Sequence, residues 1–530
     1  MNLFKSKWPL ALAFALIAFS PACTDLEEEV FTQLTPATFP TNTDEVTAAV
    51  AFAYSQLYGW GNHGNFNSLS EVSSDEIMIP QRGSDWFDGG IWLRAHRHDF
   101  KPNDGPVDGA WNFVFGGIAQ ANATLSLLDN AKESGIVDEA TVTQFAAEVR
   151  LIRALYYMWA IDGFGNVPIV TQDTEDSTPD TQPRAEVFNF IESEITGELN
   201  NLSREPGDTY ARMNYYVAQS MLAKLYINAE VYTGSARWGD ALAAANEVIN
   251  SGRYSLEGDY FANFNRSNDS SAEIIFAVPF DENTGRGFNI SQMTLHYNSQ
   301  ETFQLQAQPW NGYCTLQEFY DSYDDADGRK GEPGNQQVRG NFHAGPQFQP
   351  DGVTPILDSS ADDPGGAELV FTPEVNEHFP GTFRQAGARV GKYEFYAGGM
   401  PDLSVDFPIF RYADILMLKA EALHRQSPGS GEALDLVNSI RERAGGIDPF
   451  SEINDANLLA ERGREMFYEG WRRNDLIRFG RYNDEWGFKT MSTPDNPDVG
   501  TVRFDENVKL FPIPVNQLNA NPDLRQNDGY

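Results

Sequence analysis

The sequence is short of several things, and each shortage excludes something. Cysteine occurs twice in 530 residues, at positions 23 and 314. No disulfide framework can carry the fold, so a packed core must. With 41% hydrophobic and 13% aromatic residues, the chain has the material for one. Cations are scarce: Lys plus Arg number 38 against 76 Asp plus Glu, for a net charge of −38. A surface this acidic repels phosphate backbones and anionic lipid, which excludes nucleic acid as a natural partner. The acids are spread along the chain rather than gathered in a tail, as suits a solvated face in salty surroundings. Beyond the N-terminal leader, no apolar run is long enough to span a bilayer. Neither G-x-x-x-x-G-K-S/T nor H-E-x-x-H occurs.

The leader itself is informative. Lys5 and Lys7 precede the apolar run "WPLALAFALIAF", and Ser20 and Ala22 flank Pro21 just ahead of Cys23. These are the charged, apolar and small-residue regions of a secretory signal. The run of about 12 residues reaches about 18 Å as a helix, short of the roughly 30 Å hydrocarbon core. A signal ending on cysteine resembles that of a bacterial lipoprotein, in which residues 1–22 are removed and Cys23 becomes an acylated N-terminus. Its acyl chains would supply the anchoring that charge cannot. The alternative is an ordinary secreted protein cut near Ala22. Losing Lys5 and Lys7 takes the mature chain to near −40. Cys23 is then consumed, and Cys314 has no partner.

Residues 23–43, acidic and then rich in Thr and Pro, read as a lipidated tether. Helical periodicity begins near Asp44, where Val46, Val50, Tyr54 and Leu57 share a face. Residues 110–131 and 138–161 read as helices, followed by an extended exit at 166–170. Two helical pairs, 212–232 with 237–252 and 411–426 with 430–443, have the length of tetratricopeptide-like units. Residues 455–469 and 473–480 complete a third, and such units hold by stacking. Between about 253 and 410 the helical periods vanish, Gly, Pro, Asp and aromatics rise, and "EIIFAVPF" reads as a strand. The expectation is a mostly α fold. It is a single domain over 44–530, with a helical scaffold (about 44–252 and 411–530) carrying a loop-rich insertion with short strands.

Five blocks, in order from residue 154 to 530, carry a resemblance: "ALYYMWAIDGFGNVPIV", "RYADILMLKAEAL", "LDLVNSIRERAG", "ERGREMFYEGWRRNDLIRFG" and "FPIPVNQLNANPDLRQNDGY". "SDEIMIP" (74–80), "SGRYSL" (251–256) and "FYDSYDDADGR" (319–329) fit as well. Together they resemble the SusD/RagB family of surface lipoproteins. The resemblance implies a tetratricopeptide-like scaffold with an irregular binding region. It also implies a lipid-anchored place on the outer membrane at the cell surface, as a hinged lid on a SusC-like, TonB-dependent transporter. It implies capture of oligosaccharides, or in some members peptides, with no catalysis and no cofactor. The family's binding residues vary between members, so no positions carry over.

Other motifs do not hold. "GWGNHG" matches G-x-G-x-x-G but follows a helix with no βαβ unit. "YDDADG" lacks the acids a calcium loop needs at its first and twelfth positions. His96 and His98 have no evident third metal ligand. In "ERGREMFYEGWRRNDLIRFG", Glu461, Arg464, Glu465, Glu469, Arg472 and Arg473 are spaced for i,i+3 and i,i+4 ion pairs, a structural role. The two prolines of "PIP" suit a terminal strap on the scaffold. A glycosidase would need two carboxylates about 5–10 Å apart. No stretch isolates an acid among apolar residues in the way that would raise its pKa.

A neutral sugar needs flat aromatic faces for its C–H surfaces and polar groups for its hydroxyls. Trp60, Trp86 and Trp310 have polar, loop-like flanks and are the candidate platforms. Asp85, Asp88 and Asn311 beside them are candidate hydroxyl partners, with Tyr313, Arg389 and Tyr396 as further members. Cys314 beside them reads as a small buried residue of the pocket wall. Trp111, Trp159, Trp238, Trp471 and Trp486 read as structural.

Overall fold

A computed structural model of the chain describes residues 40–358, 366–489 and 503–530. The leader, Cys23 and most of the tether lie outside the described residues. The main helices are α1 (Thr43–Ser55), α2 (Phe66–Val72), α3 (Gly105–Ser134), α4 (Glu139–Gly163), α5 (Arg184–Glu198), α6 (Tyr215–Ile227), α7 (Trp238–Asn250), α8 (Tyr412–Gln426), α9 (Gly431–Ala444), α10 (Asp455–Met466) and α11 (Arg472–Arg478). Among the described residues no helix is long and apolar enough to cross a membrane.

The helix ends follow from side chains that satisfy free backbone N–H groups. Asn42, Asp138, Asn214, Ser430 and Asn454 each accept a first-turn amide. Gly135, at φ 68°, closes α3 in the left-handed conformation that glycine adopts without penalty. The pairing is that of stacked helical hairpins: α3 packs on α4, α6 on α7 and α8 on α9. Helix α7 also packs on α8, so the scaffold continues across the 253–410 stretch that separates them in sequence. A core cluster of buried side chains runs from Val46 to Ile513.

Strand structure is sparse and antiparallel. Ile274–Val278 pairs with Phe407–Arg411, joining the two ends of the loop-rich stretch under α8. Ile77–Met78 pairs with Cys314–Thr315, which ties the stretch before α3 to the middle of the insertion. Cys314 is a buried free thiol.

The C-terminal block departs from the expected ladder of pairs along one helix. Helix α10 stops at Met466, and Tyr468 and Gly470 turn the chain at positive φ before α11. Among the six residues named for that ladder, Arg464–Glu461 is the local pair, at 2.8 Å. The rest reach elements far away in sequence. Arg411 meets Glu465 at 2.6 Å, Glu273 at 2.7 Å and Glu469 at 2.8 Å. Arg329 meets Glu461 at 2.8 Å and Glu465 at 3.0 Å, and Arg462 joins Asp475 to Asp414. These side chains are almost wholly buried, so they form a charged knot inside the scaffold rather than a surface stripe. The acids of "YDDADG" join its edge, Asp327 on Arg329 and Asp325 on Lys330. His96 and His98 are buried, and each ring meets a backbone carbonyl, of Gly487 and Ser73. The "PIP" segment lies as a strap: Phe511 donates its N–H to Gly163 at 2.7 Å, and Asn527 donates to the carbonyls of Phe164 and Phe511.

Candidate functional site

Two irregular segments, residues 82–88 and 308–312, come together at one surface because the 77–78 and 314–315 strands pair just behind them. Between them opens a cleft of about 750 Å³, lined by Ser84, Asp85, Trp86, Asp88, Tyr297, Gln308, Pro309 and Trp310. That volume is in the range of small-ligand sites.

The first wall is a tight turn in which Arg82 and Asp85 exchange backbone hydrogen bonds at 3.0 Å. Past the turn the backbone is forced into the left-handed region at two side-chain-bearing residues, Trp86 at φ 65° and Asp88 at φ 44°. On the second wall Asn311 sits at φ 56°. Each such residue costs on the order of 1 kcal/mol. Strain of this kind persists where surrounding structure holds it, and here Trp86 and Asp88 line the cleft while Asn311 lies behind it. The Trp86 indole N–H donates to the carbonyl of Trp310 at 2.7 Å, bridging the two walls. The Trp86 ring lies over Gly312, where a Cβ would come within 2.4 Å of it, so only glycine leaves room. His63 and Tyr313 abut the ring edge-on, with centroids 5.0 and 6.0 Å away. Trp86 is thus half-buried and fixed, and Trp310 is 40% exposed.

The polar groups are equally constrained. Asp85 accepts from the hydroxyl of Tyr297. Asp88 accepts from the indole N–H of Trp92 at 2.9 Å. Burial pushes the His63 imidazole down to about 4, so it is neutral near pH 7 and puts no cation behind Trp86. Beneath the cleft, Arg82 and Arg389 are wholly buried and meet no carboxylate among the described residues. They donate instead to carbonyls of the 383–387 loop, Arg82 to Ala386 at 2.7 Å and Arg389 to Arg384 at 2.7 Å and Ala386 at 2.7 Å. The cleft therefore presents two indoles, a phenol and two acids, with no cation among the described residues that line it.

Of the candidates named from sequence, Asp85, Trp86, Asp88 and Trp310 share this cleft. Asn311, Tyr313 and Arg389 do not line it. They are buried directly behind it, where the Asn311 side chain links Arg389 to the Arg384 carbonyl, and Tyr313 bonds His63 at 2.9 Å. Trp60 is a correction. It is 1% exposed and stacks on Trp159 at a 4.5 Å centroid distance, because the turn after α1 directs it inward and Gly470 leaves space for its ring. Its polar neighbours in sequence say nothing of that. Tyr396 lies elsewhere, hydrogen-bonded to Glu282 and covered by Arg266. Tyr297 and Gln308 were not named from sequence. Tyr297 carries the signal used for the tryptophans, an aromatic among polar residues in "HYNSQ".

Comparison with known proteins agrees with this architecture. A family model described as "SusD family" matches residues 392–530, and one described as "Starch-binding associating with outer membrane" matches residues 39–227. The starch-binding protein SusD of Bacteroides thetaiotaomicron is 27% identical over 434 residues, covering 75% of this chain and 74% of that one. A SusD-like protein of Formosa agariphila is 24% identical over 539 residues, covering 95% and 94%. Among solved structures, a SusD superfamily protein of Parabacteroides distasonis superposes with a TM-score of 0.73 at 22% identity, over 94% of this chain and 100% of that one. Surface glycan-binding protein A of Bacteroides thetaiotaomicron, solved with laminarihexaose, gives 0.70 at 21% identity, over 92% and 100%. With family models matching near both ends and the mostly α, tetratricopeptide-like fold shared along its length, the chain belongs to the SusD/RagB family.

Proposed function

We propose that this protein is a non-catalytic, cell-surface binding protein for neutral oligosaccharide. The observation that carries the reading is the cleft, where two indoles and two carboxylates face one open space on a backbone held in strained conformations. Indole faces cover sugar C–H surfaces, and Asp85, held by Tyr297 and Ser84, and Asp88, held by Trp92, accept hydroxyl hydrogens with their remaining lone pairs. Relatives named for starch binding and for glycan binding support the same class of ligand. In this reading Cys23 carries lipid that anchors the chain in the outer membrane, residues 24–43 are its tether, and the 44–530 domain is the lid of a SusC-like, TonB-dependent transporter.

Titration calorimetry on Trp86→Ala and Trp310→Ala tests the site. Burying a large apolar side chain fully is worth about 1.5–3 kcal/mol, and a sugar covers part of a ring, so each loss should cost about 1–2 kcal/mol, or about 5- to 30-fold in affinity. Wild-type affinity in both folded variants would move the site elsewhere. New reducing ends released by purified protein, and abolished by one Asp or Glu substitution, would replace binding with hydrolysis. Cys23→Ala should release the protein from membranes in cells lacking the transporter. Retention there would refute the lipid anchor.

A further inference from the structure

Two exposed phenylalanines, one on the first wall of the cleft and one on the loop hydrogen-bonded to Arg82, have no role in the fold described above. Phe87 is 37% exposed and Phe383 61%. Phe87 sits in the chain between the two cleft residues Trp86 and Asp88, and its ring stacks on Phe379 at 5.3 Å and 28°. Phe383 rides on the 376–387 loop. That loop is bonded to both walls of the cleft: Gln81 donates its N–H to the His378 carbonyl at 3.0 Å, Asn311 donates to the Arg384 carbonyl at 3.1 Å, and Arg82 donates to the carbonyl of Phe383 itself. Three segments distant in sequence are therefore one hydrogen-bonded unit, and each brings an exposed or half-exposed aromatic to it.

Exposed aromatics held on an over-determined loop call for an occupant. On the first wall Phe87 follows Ser84, Asp85 and Trp86 and precedes Asp88, so along the chain rings alternate with hydroxyl-binding groups. A polyhydroxylated chain with apolar ring faces matches that alternation. A protein docking patch would show a continuous apolar centre instead. Phe87 also stands in the chain between two residues of the cleft lining, and Phe383 on a loop that Arg82 and Asn311 hold to both walls.

We infer that the ligand surface extends from the cleft over the Phe87–Phe379 pair and Phe383, so that the site takes the interior of an extended neutral glycan rather than one or two sugar rings. This rests on the oligosaccharide reading of the cleft. It assigns Phe87, backed by the buried Phe379, and Phe383 to length selectivity, while Trp86 and Trp310 give the basal affinity.

The test is calorimetry on the full mature chain with ladders of neutral gluco-, galacto-, manno- and xylo-oligosaccharides, each from disaccharide to octasaccharide. Wild type should gain affinity with length beyond the smallest binding member. Phe87→Ala and Phe383→Ala should each remove about 3- to 10-fold of that gain at the longest members. Both residues are exposed enough for the variants to fold, which circular dichroism checks, and Phe383→Tyr should keep the gain. If both Ala variants match wild type at every length while Trp310→Ala still loses affinity, the extension is wrong and the cleft reading stands. If no ladder binds wild type at all, both fall.

Discussion

Arginines are buried in two regions of this chain, and they are partnered in opposite ways. In the knot between α8, α10 and the 273–443 elements, Arg411, Arg329 and Arg462 meet carboxylates, and the acids they hold are fully buried too. The charge closes on itself, and the carboxyl of Glu461, beside Arg329 and Arg464, is held down at about 2 despite its burial. Under the cleft, Arg82 and Arg389 donate to backbone carbonyls and to the Asn311 side chain, and Arg389 lies over the Phe371 ring. There the guanidinium groups do not neutralise anything. They fix a loop, and Asp85 and Asp88, which they do not pair, line the cleft and are held by Tyr297 and Trp92 instead. The knot holds the scaffold, whereas the arginines under the cleft hold a shape. Substitutions should separate the two.

The largest effect belongs to the knot. Arg411→Met leaves Glu465, Glu469 and Glu273 short of a partner in a dry interior, which should cost about 3–5 kcal/mol of stability. Arg82→Met strips donors from three carbonyls and should cost about 1–3 kcal/mol. Urea denaturation of both variants measures the gap. Equal losses would mean that the knot is no more cooperative than an ordinary set of hydrogen bonds.

Next comes a pair of acids that belongs to neither region. Glu71 accepts the Gly470 N–H at 2.8 Å and Glu76 the Tyr468 N–H at 3.1 Å, so both grip the turn between α10 and α11. Each has a second carboxyl oxygen that is buried and meets no hydrogen-bond donor among the described residues, with the Arg472 guanidinium 3.9 Å from that of Glu76. Burial raises both, Glu71 to about 7. Below the unfolded value near 4.5 both states are protonated, and the stabilisation is fully present. As pH rises from 4.5 through 7 the unfolded chain gives up this proton first, and the stabilisation is lost. At about 1.36 kcal/mol per tenfold change in proton affinity, the loss is about 3 kcal/mol. Glu71→Gln keeps the acceptor for Gly470 and does not titrate. Its stability relative to wild type should therefore rise by about that amount between pH 4.5 and 8. A flat difference would mean that Glu71 is ionised in the folded protein. The knot works with the opposite sign, since Glu461 loses its contribution as pH falls from 4.5 toward 2.

The contrast also explains what could be read from the chain. Helix pairs such as α6 with α7 and α8 with α9 were legible because apolar spacing and caps are local. Trp310 and Trp86 were legible because loop tips with polar flanks are local too. Trp60 has similar flanks, and its burial is decided by Trp159 and Gly470, far away in sequence. The ion pairs of 461–478 looked like a helical ladder because spacing along one segment is all that sequence displays. Their partners Glu273, Arg329 and Arg411 are supplied by the fold. Tyr297 enters the cleft for the same reason, through the strand pair that joins residues 77–78 to 314–315.

A smaller effect isolates shape from stability. Gly312→Ala puts a Cβ within 2.4 Å of the Trp86 ring and must displace it. The ring is half-exposed and has somewhere to go, so the melting temperature should move little. Affinity should fall by about tenfold, or about 1.4 kcal/mol, as the indole leaves its position. Unchanged affinity would mean that Trp86 does not contact the ligand.

The smallest expected effect is that of salt, and its direction reports the charge of the ligand. Asp85 and Asp88 are the charged groups of the cleft lining, and the chain as a whole carries −38. The Debye length falls from about 30 Å at 0.01 M salt to about 8 Å at 0.15 M, so interactions between the ligand and this acidic surface are screened over that range. A neutral glycan has no net charge to be screened, and its affinity should change by less than about twofold, within about 0.4 kcal/mol. An anionic glycan would be repelled by the bare surface, and its affinity would rise as salt is added. An amino sugar or a basic peptide would be attracted, and its affinity would fall. Calorimetry across that salt range with the tightest-binding oligosaccharide, repeated on Asp88→Asn, separates the three. A neutral ligand leaves both titrations flat. A slope in wild type that shrinks in Asp88→Asn would place a charged ligand beside that carboxylate and overturn the neutral-sugar reading.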